Sequence, residues 1–488
     1  MLSVRAVKNT THDAVTRAEM LPGTFYIETF GCQMNERDSE TIAALLSRGG
    51  MTATRDPRAA DVILLNTCAV RESAESKVWS RLGKLAAMRR AGPMPVMALV
   101  GCMAQIQENV ERIRQRVPFV QVVAGPGSIH RIPSLVRQAR EAACSDAARP
   151  ATKGPGLTAV SPPRSGISRE ESTQVLPEGL PRKDVPGVTA FVTIMYGCDN
   201  FCSYCVVPFV RGPQVSRPRE AITQEVESLA ALGCKEVTLL GQNVNAYGHD
   251  LGDMEGFSRL LRKLNQVPGL WRIRYLTSHP RDFTRETVDA VRECGKVCEH
   301  FHLPLQSGSD RILTLMNRGY TRSEYLALLD YIRETVPGPS LTTDIIVGFP
   351  TETEEDFQDT LKVLRGARFD GAFTFVFSPR KGTAAAGMKG QVSRAEKSER
   401  MQELVEVQSG ITAAVNRELV GRQVEILVES ADDQEPGAVR GRTRTGKLVI
   451  AQAGEGQGRQ GSSPAPGDLV TVRVIEAGTW YLKGPVVR

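Results

Sequence analysis

The segment Tyr196-Gly-Cys198-Asp-Asn-Phe-Cys202-Ser-Tyr-Cys205 carries three thiols within eight residues, just beyond a strand-like run that ends at Met195. Thiolates at this spacing can close on one metal centre. A complete four-iron cluster takes four protein thiolates, so three leave one iron open to a further ligand. A closed zinc site is tetrahedral and needs a fourth ligand at finger-like spacing. Cys234 and His249 stand at no such spacing. The loop therefore reads as a cluster site with an open iron.

A second set emerges when cysteines are placed against strands. Cys32, Cys68 and Cys102 each lie two or three residues past a predicted strand end. Carboxyl ends of neighbouring parallel strands line one crevice, so residues thirty-odd apart in sequence can form a compact triplet. Three unrelated buried thiols remain the alternative, since free Cys is among the most buried residue types. The repeated pairs Gly31-Cys32 and Gly101-Cys102, with Asn66-Thr-Cys68, weigh against it. Cys144, Cys234, Cys294 and Cys298 receive no role. Ten cysteines and no export signal point to reduced thiols in a cytoplasmic setting.

The elements that must hold these residues are those of an α/β protein. At 488 residues the chain exceeds what one core organises, so two to four domains are expected. With 41% hydrophobic and 24% charged residues the balance is that of a globular protein, and no apolar run is long enough for a membrane span. Residues 1–22 carry Arg5, Lys8 and Arg17 without an apolar core, and read as a disordered extension. Within 23–140, strand-like runs at Phe25–Thr29, Val62–Asn66, Val96–Val100 and Phe119–Val123 alternate with amphipathic stretches such as Asp38–Arg48 and Ala74–Arg90, which predicts a parallel sheet. Residues 141–187, rich in Pro, Gly, Ser and Arg, read as a linker. From 188 to 418 the alternation resumes. Strands are expected at Ala190–Met195, Glu236–Gly241, Trp271–Thr277, Val297–Leu303, Ser340–Val347 and Ala372–Phe377, giving a full or partial (β/α) barrel with its chemistry at the strand carboxyl ends. Residues 419–488 change to β-branched runs at Val424–Val428, Lys447–Ile450 and Leu469–Ile475, as in a small β-barrel, with polar loops at Ala431–Pro436 and Gly454–Pro466. A net charge of +6 permits an anionic partner without requiring one.

The chain resembles the radical S-adenosylmethionine methylthiotransferases over nearly all of its length from Thr24. The resemblance rests on the Cys198, Cys202, Cys205 spacing and on five further motifs. These are Gly31-Cys-Gln-Met-Asn-Glu36, Asn66-Thr-Cys-Ala-Val-Arg-Glu72, Gly101-Cys-Met-Ala-Gln105, Leu240-Gly-Gln-Asn-Val-Asn-Ala-Tyr247 and Pro304-Leu-Gln-Ser-Gly-Ser309. It implies an N-terminal domain binding an auxiliary [4Fe-4S] cluster through Cys32, Cys68 and Cys102. It implies a central domain of radical SAM type, whose Cys198, Cys202 and Cys205 hold a second [4Fe-4S] cluster that binds S-adenosylmethionine at its open iron. The C-terminal barrel is implied to be a TRAM domain, an RNA-binding module. Two departures stand out: Thr351 replaces the second Gly of the family's Gly-Phe-Pro-Gly-Glu-Thr run, and the long loop before Gly467 interrupts the TRAM pattern.

The activity so implied is methylthiolation of carbon 2 of N(6)-isopentenyladenosine next to the anticodon in tRNA. That carbon is neither acidic nor beside a group able to stabilise an anion, so a cofactor must supply radical reactivity. In the family scheme one S-adenosylmethionine methylates sulfur on the auxiliary cluster, and a second yields the radical that abstracts hydrogen. Gln242 and Asn243, past one strand end, are the leading contacts for S-adenosylmethionine, with Ser307 and Asp344 behind them; loop capping is the plainer role for Gln242. Arg440, Arg442, Arg444 and Lys447, near Trp480 and Tyr481, are the candidate RNA contacts, a solvated basic loop being the alternative. Arg211 and Arg217 are candidates for reaching the anticodon stem-loop. An electron donor and a sulfur source are implied partners, no membrane is expected, and a monomer is expected. Rival readings are the same chemistry on threonylcarbamoyl-adenosine or on a ribosomal-protein aspartate, against which Gly31–Asn35 and Asp199-Asn200 speak, and a non-catalytic iron-sulfur RNA-binding protein.

Overall fold

The computed structural model describes residues 21–70, 72–88, 95–145, 157–159, 177–182, 187–452 and 464–487. Nearly all of the extension 1–22, most of the linker 141–187 and the loop from 454 to 463 lie outside the described residues. The described chain falls into two compact units, one holding 21–159 with 177–182 and the other 187–487.

In the first unit six parallel strands, β1 (Gly23–Thr29), β2 (Met51–Ala53), β3 (Val62–Thr67), β4 (Val96–Gly101), β5 (Val120–Ala124) and β6 (Leu157–Ala159), form one sheet in the order β2-β1-β3-β4-β5-β6. Every residue of β3 and β4 is buried, as expected of a parallel sheet covered on both faces. Alternation then sorts the side chains. Val62 and Leu64 pack with Ile42, Leu46 and Val136, from the helices Gln33–Arg48 and Ile132–Ser145. Ile63 and Leu65 pack on the other face with Val78, Leu82 and Ile113, from Glu72–Met88 and Gln107–Arg116. The edge strands β2 and β6, three residues each, are too short for alternation to reveal them.

The second unit opens with β7 (Thr189–Thr193), β8 (Met195–Tyr196), β9 (Val215–Ser216), β10 (Glu236–Leu240), β11 (Arg272–Tyr275), β12 (His300–His302), β13 (Ser340–Val347) and β14 (Gly371–Val376). Two parallel sheets, β11-β10-β7 and β12-β13-β14, are joined by a single bridge between Ile273 and Val297 into one open barrel wall. The expected strands Trp271–Thr277 and Val297–Leu303 are longer than those found. Thr277 takes φ +70°, which turns the chain out of the ladder, and Val297 keeps only its bridge.

The C-terminal strands β15 (Gln423–Ala431), β16 (Val439–Thr443), β17 (Leu448–Gln452), β18 (Leu469–Arg473), β19 (Glu476–Ala477) and β20 (Leu482–Pro485) are ordered β18-β15-β16-β17-β20-β19. A bridge from Val472 to Val486 curls the sheet round a core of Ile426, Val428, Val449, Val472 and Leu482. β16 has no counterpart among the expected strands. Val439, Gly441 and Thr443 point inward while Arg440 and Arg442 point out, an alternation masked by its small inward residues.

The turn between β16 and β17 docks on the amino ends of the barrel strands. Arg272 and Arg274, in β11, donate to the carbonyls of Arg442, Thr443 and Arg444 at 2.7–2.8 Å. In return Arg444 pairs with Glu299 and Lys447 with Asp370, each at 2.6 Å. Arg274 also pairs at 2.9 Å with Glu236, both side chains being under 10% exposed. Removing one partner of a buried pair strands the other charge, at a cost of about 3–5 kcal/mol. Arg274→Ala is therefore expected to lower unfolding stability by that order in urea titrations and to speed proteolytic release of the C-terminal strands. Wild-type stability in this variant would show that the buried pair does not hold the module.

Candidate functional site

In the first unit Cys32, Cys68 and Cys102 follow β1, β3 and β4, three neighbouring strands whose registers pair Thr29 with Asn66 and Thr67 with Gly101. Adjacent strands lie about 4.8 Å apart, so the three thiols stand in a row at one sheet end. Polar side chains shape this end. Asn35 Nδ2 donates to Asn66 Oδ1 at 3.0 Å and to the Thr67 carbonyl at 2.9 Å, while its Oδ1 accepts from the Cys32 thiol at 3.3 Å. Asn66 Nδ2 answers to the Asn35 carbonyl at 2.8 Å. Glycine is required at 101, where φ is +93° and a Cβ would lie 2.4 Å from Asn66 Oδ1. Cys68 and Cys102 are buried and Cys32 is half-buried.

In the second unit Cys198, Cys202 and Cys205 occupy the loop after β8. Gly197 sets its shape: φ is +71°, its N–H donates to Gln242 Oε1 at 2.5 Å, and a Cβ there would come within 1.9 Å of the Pro213 carbonyl oxygen. Gln242 thus braces the cysteine loop. Asp199 accepts from the Gln214 N–H at 3.1 Å, and Asn200 contacts Arg281 and Asp282. The pair Asp199-Asn200 therefore shapes the loop as well. Burial pushes the Cys198 thiol up to about 11 and that of Cys205 up to about 12, so each holds its proton until a metal displaces it.

Two residues that sequence reasoning missed complete the loop's surroundings. Arg318, 4% exposed, donates from Nη1 to Cys202 Sγ and Tyr204 Oη at 3.3 Å each, from Nη2 to the Pro304 carbonyl at 2.8 Å and from Nε to Tyr320 Oη at 3.1 Å. Among the described residues no carboxylate pairs with it. A buried guanidinium without a counter-ion is costly, and thiolates bound to iron would supply the negative charge it lacks. His279 lies 4.0 Å from Cys202 Sγ; burial, with Arg318 and Arg281 nearby, pushes its pKa down to about 2, so its ring is neutral.

The mouth of the barrel wall also holds polar atoms with no partner among the described residues. Asn243 Oδ1, Ser278 Oγ and Gln306 Oε1 are buried and unbonded just past β10, β11 and β12. Nearly all buried polar atoms are satisfied, so three orphans at adjacent strand ends mark a place for a polar ligand. Thr277 and Gln306 there take φ of +70° and +72°, and such strain gathers at ligand sites. Of the other expected contacts, Ser307 Oγ accepts from the Ser309 N–H at 3.3 Å, and Asp344 lies 3.4 Å from His302 Nε2. Asn243 Nδ2 donates to Asp282 at 2.6 Å, which leaves its Oδ1 facing the site. Thr351 takes φ +66°, a conformation glycine adopts without strain, and Arg311 holds its carbonyl at 2.6 Å.

Among the described residues no three His, Cys, Asp or Glu side chains converge tightly enough for a single metal ion. A cluster asks for something else, because each thiolate binds its own iron. The expected RNA contacts are all engaged inside the molecule: Arg440 with Asp432, Arg442 with Glu429, Arg444 with Glu299 and Lys447 with Asp370. Arg217 pairs with Glu225 at 2.7 Å. Cys234, Cys294 and Cys298 are buried in the barrel.

Residues 192–364 match the radical SAM superfamily, 24–125 match the family described as uncharacterized protein family UPF0004, and 417–487 match the TRAM domain. The tRNA-2-methylthio-N(6)-dimethylallyladenosine synthase of Moorella thermoacetica is 48% identical over 95% of this chain and 98% of its own. The protein of the same name from Carboxydothermus hydrogenoformans is 43% identical over 96% of this chain and all of its own. Among solved structures, the radical S-adenosylmethionine methyltransferase TsrM of Kitasatospora setae, with cobalamin and a [4Fe-4S] cluster bound, shares the fold at a TM-score of 0.54. It is 15% identical, with 75% of this chain and 77% of that one covered.

The close backbone approach at Gly197 makes a direct test. A side chain there adds left-handed strain of about 1–2 kcal/mol to a clash with the Pro213 carbonyl, and Gly197→Ala, like Cys198→Ala, should lower the iron retained after anaerobic reconstitution. Full iron content in the glycine variant, measured by colorimetric assay, would refute this role for the loop.

Proposed function

The chain belongs to the family of tRNA-2-methylthio-N(6)-dimethylallyladenosine synthases, and we propose on that footing that it methylthiolates carbon 2 of N(6)-isopentenyladenosine beside the anticodon of tRNA. It is a radical SAM enzyme using iron-sulfur chemistry and S-adenosylmethionine. The observation that carries the fuller reading is the pairing of two cysteine triplets, each just past the ends of strands and each free of disulfides. In this reading Cys32, Cys68 and Cys102 hold an auxiliary [4Fe-4S] cluster, and Cys198, Cys202 and Cys205 hold the one that engages S-adenosylmethionine. When bound, these groups supply the 5'-deoxyadenosyl radical and the methylthio group, reactivity that side chains lack.

The chain's own residues position and shield. Arg318 offsets the negative charge of the second thiolate set, and Gln242, Asp199 and Asn200 fix the loop that carries it. Asn243, Ser278 and Gln306, whose buried oxygens have no partner, would hold polar groups of S-adenosylmethionine; Ser307 and Asp344 support that mouth from neighbouring positions. The C-terminal module meets tRNA, and an external electron donor and sulfur source complete the cycle of a monomeric enzyme.

Cys198→Ala and Cys68→Ala should each abolish methylthiolation of isopentenylated tRNA under anaerobic reduction, read by mass analysis of the nucleosides. Full activity in either variant would end the two-cluster reading. The reconstituted wild type should also release 5'-deoxyadenosine from S-adenosylmethionine, which a non-catalytic iron-sulfur RNA-binding protein would not do. If threonylcarbamoyl-adenosine gained the group instead, the chemistry would stand and the substrate would change.

A further inference from the structure

The basic residues of the C-terminal module divide into two sets. Arg440, Arg442, Arg444 and Lys447 all meet carboxylates, and the last two tie the module to the barrel. Arg417, Arg422 and Arg473 are exposed, and among the described residues no carboxylate pairs with any of them; Arg422 stands at the rim of the groove that also holds Arg444 and Lys447. Backbone bonds bring this second set together. Gly421 N donates to the Val474 carbonyl at 2.8 Å and Val474 N to that of Arg422 at 2.9 Å, so the segment 417–422 runs beside 473–475.

Exposed apolar side chains interleave with these arginines. Val420 is 44%, Ile475 57% and Trp480 64% exposed. Trp480 sits on a tight turn closed by Gly478 N donating to the Tyr481 carbonyl at 2.9 Å. Asn416 Nδ2 pins that turn, donating to the carbonyls of Gly478 and Thr479 at 3.0 Å each. The turn that carries the exposed indole is thus pinned beside the helix end that carries Arg417. Of the acids nearby, Glu418 pairs with Arg368 at 2.6 Å and Glu425 with Arg272 at 2.9 Å, while Glu476 accepts from Tyr481 Oη at 2.7 Å.

We propose that this stripe, and not the basic turn at 440–447, is the surface on which the C-terminal module grips RNA, with the three arginines on phosphates and Trp480 stacked on an unpaired base. The inference rests on the tRNA reading above. Unpaired guanidinium groups lose no internal partner when a phosphate approaches, whereas Arg444 and Lys447 would have to abandon theirs. An exposed aromatic on a pinned turn beside such charges is the combination that binds unpaired nucleotides without regard to sequence. Because the module docks at the amino ends of the barrel strands while Cys198, Cys202 and Cys205 follow the opposite ends, the stripe grips nucleotides other than the one modified.

The test uses the full-length holoenzyme and isopentenylated tRNA, with affinity followed by fluorescence anisotropy over a salt series. The triple variant Arg417→Gln/Arg422→Gln/Arg473→Gln should bind more weakly and flatten the plot of log affinity against log salt by about 2–3 units, roughly one per phosphate contact. Trp480→Ala should weaken binding on the order of ten- to a hundredfold with the slope kept. In the unaltered enzyme, tRNA should quench a part of the tryptophan emission that Trp480→Phe removes. An unchanged slope in the triple variant, its circular dichroism matching wild type, would overturn the proposal, as would quenching that survives Trp480→Phe. Self-association of the RNA-free enzyme that Trp480→Ala abolishes would assign the stripe to a second copy and overturn it equally. A wild type that binds and modifies its tRNA while the variants match it defeats the stripe alone; a wild type that modifies no tRNA defeats the reading beneath it.

Discussion

Neighbouring strands of a parallel sheet run in the same direction at a fixed spacing of about 4.8 Å, so whatever follows their carboxyl ends is gathered at one edge. The functional geometry of this protein depends on that constraint. In the first unit it lines up Cys32, Cys68 and Cys102 behind β1, β3 and β4, with Cys32 capping the helix Gln33–Arg48 and Cys102 opening a helical turn. In the second it gathers Cys198–Cys205, Asn243, Ser278 and Gln306 from loops well separated in sequence. The sheets supply rigidity through buried strands such as β3 and β4, and the loops supply chemistry, a division that leaves the polar ends free to carry unsatisfied atoms and strained backbone.

The same constraint explains what was legible beforehand. Alternation of apolar runs placed the long central strands; counting two or three residues past strand ends picked out Cys32, Cys68 and Cys102, while Cys198, Cys202 and Cys205 stood out by their spacing. Arg318 was invisible to that procedure, because it lies 116 residues beyond Cys202 in the chain and reaches the thiol only once the barrel wall has curved. Ser278 and Gln306 were missed because φ values above +70° or near it at 277 and 306 cannot be anticipated for Thr and Gln, residues that ordinarily avoid that region. Gln242 was found at its strand end, but its Oε1 is spent on the Gly197 N–H. Position relative to a strand is readable from sequence; the partner a side chain chooses is not.

Charge shows the limit most clearly. Arg440, Arg442, Arg444 and Lys447 form a dense basic run in sequence, yet their carboxylates come from Asp432, Glu429, Glu299 and Asp370, two of them in loops of another part of the unit. The run looked like an exposed loop because β16 hides its alternation behind Gly441 and Thr443. Arg417, Arg422 and Arg473, dispersed in sequence, become neighbours through two backbone bonds. Local density of charge therefore does not reveal which charges keep an internal partner and which are left without one.

The buried ions beneath the C-terminal module follow from this division. Replacing such a network by apolar side chains is often neutral or stabilising, so stability alone gives little reason to retain it. Geometry gives a better one. Arg272 and Arg274 read backbone carbonyls at 442–444, and Arg444 and Lys447 reach back to separate carboxylates, so the turn is satisfied in one register only. An apolar contact would tolerate slippage; four directional charges do not. On the proposed function, such a module needs its orientation fixed more than it needs additional binding energy, and buried ion pairs supply that orientation at the cost of desolvating them.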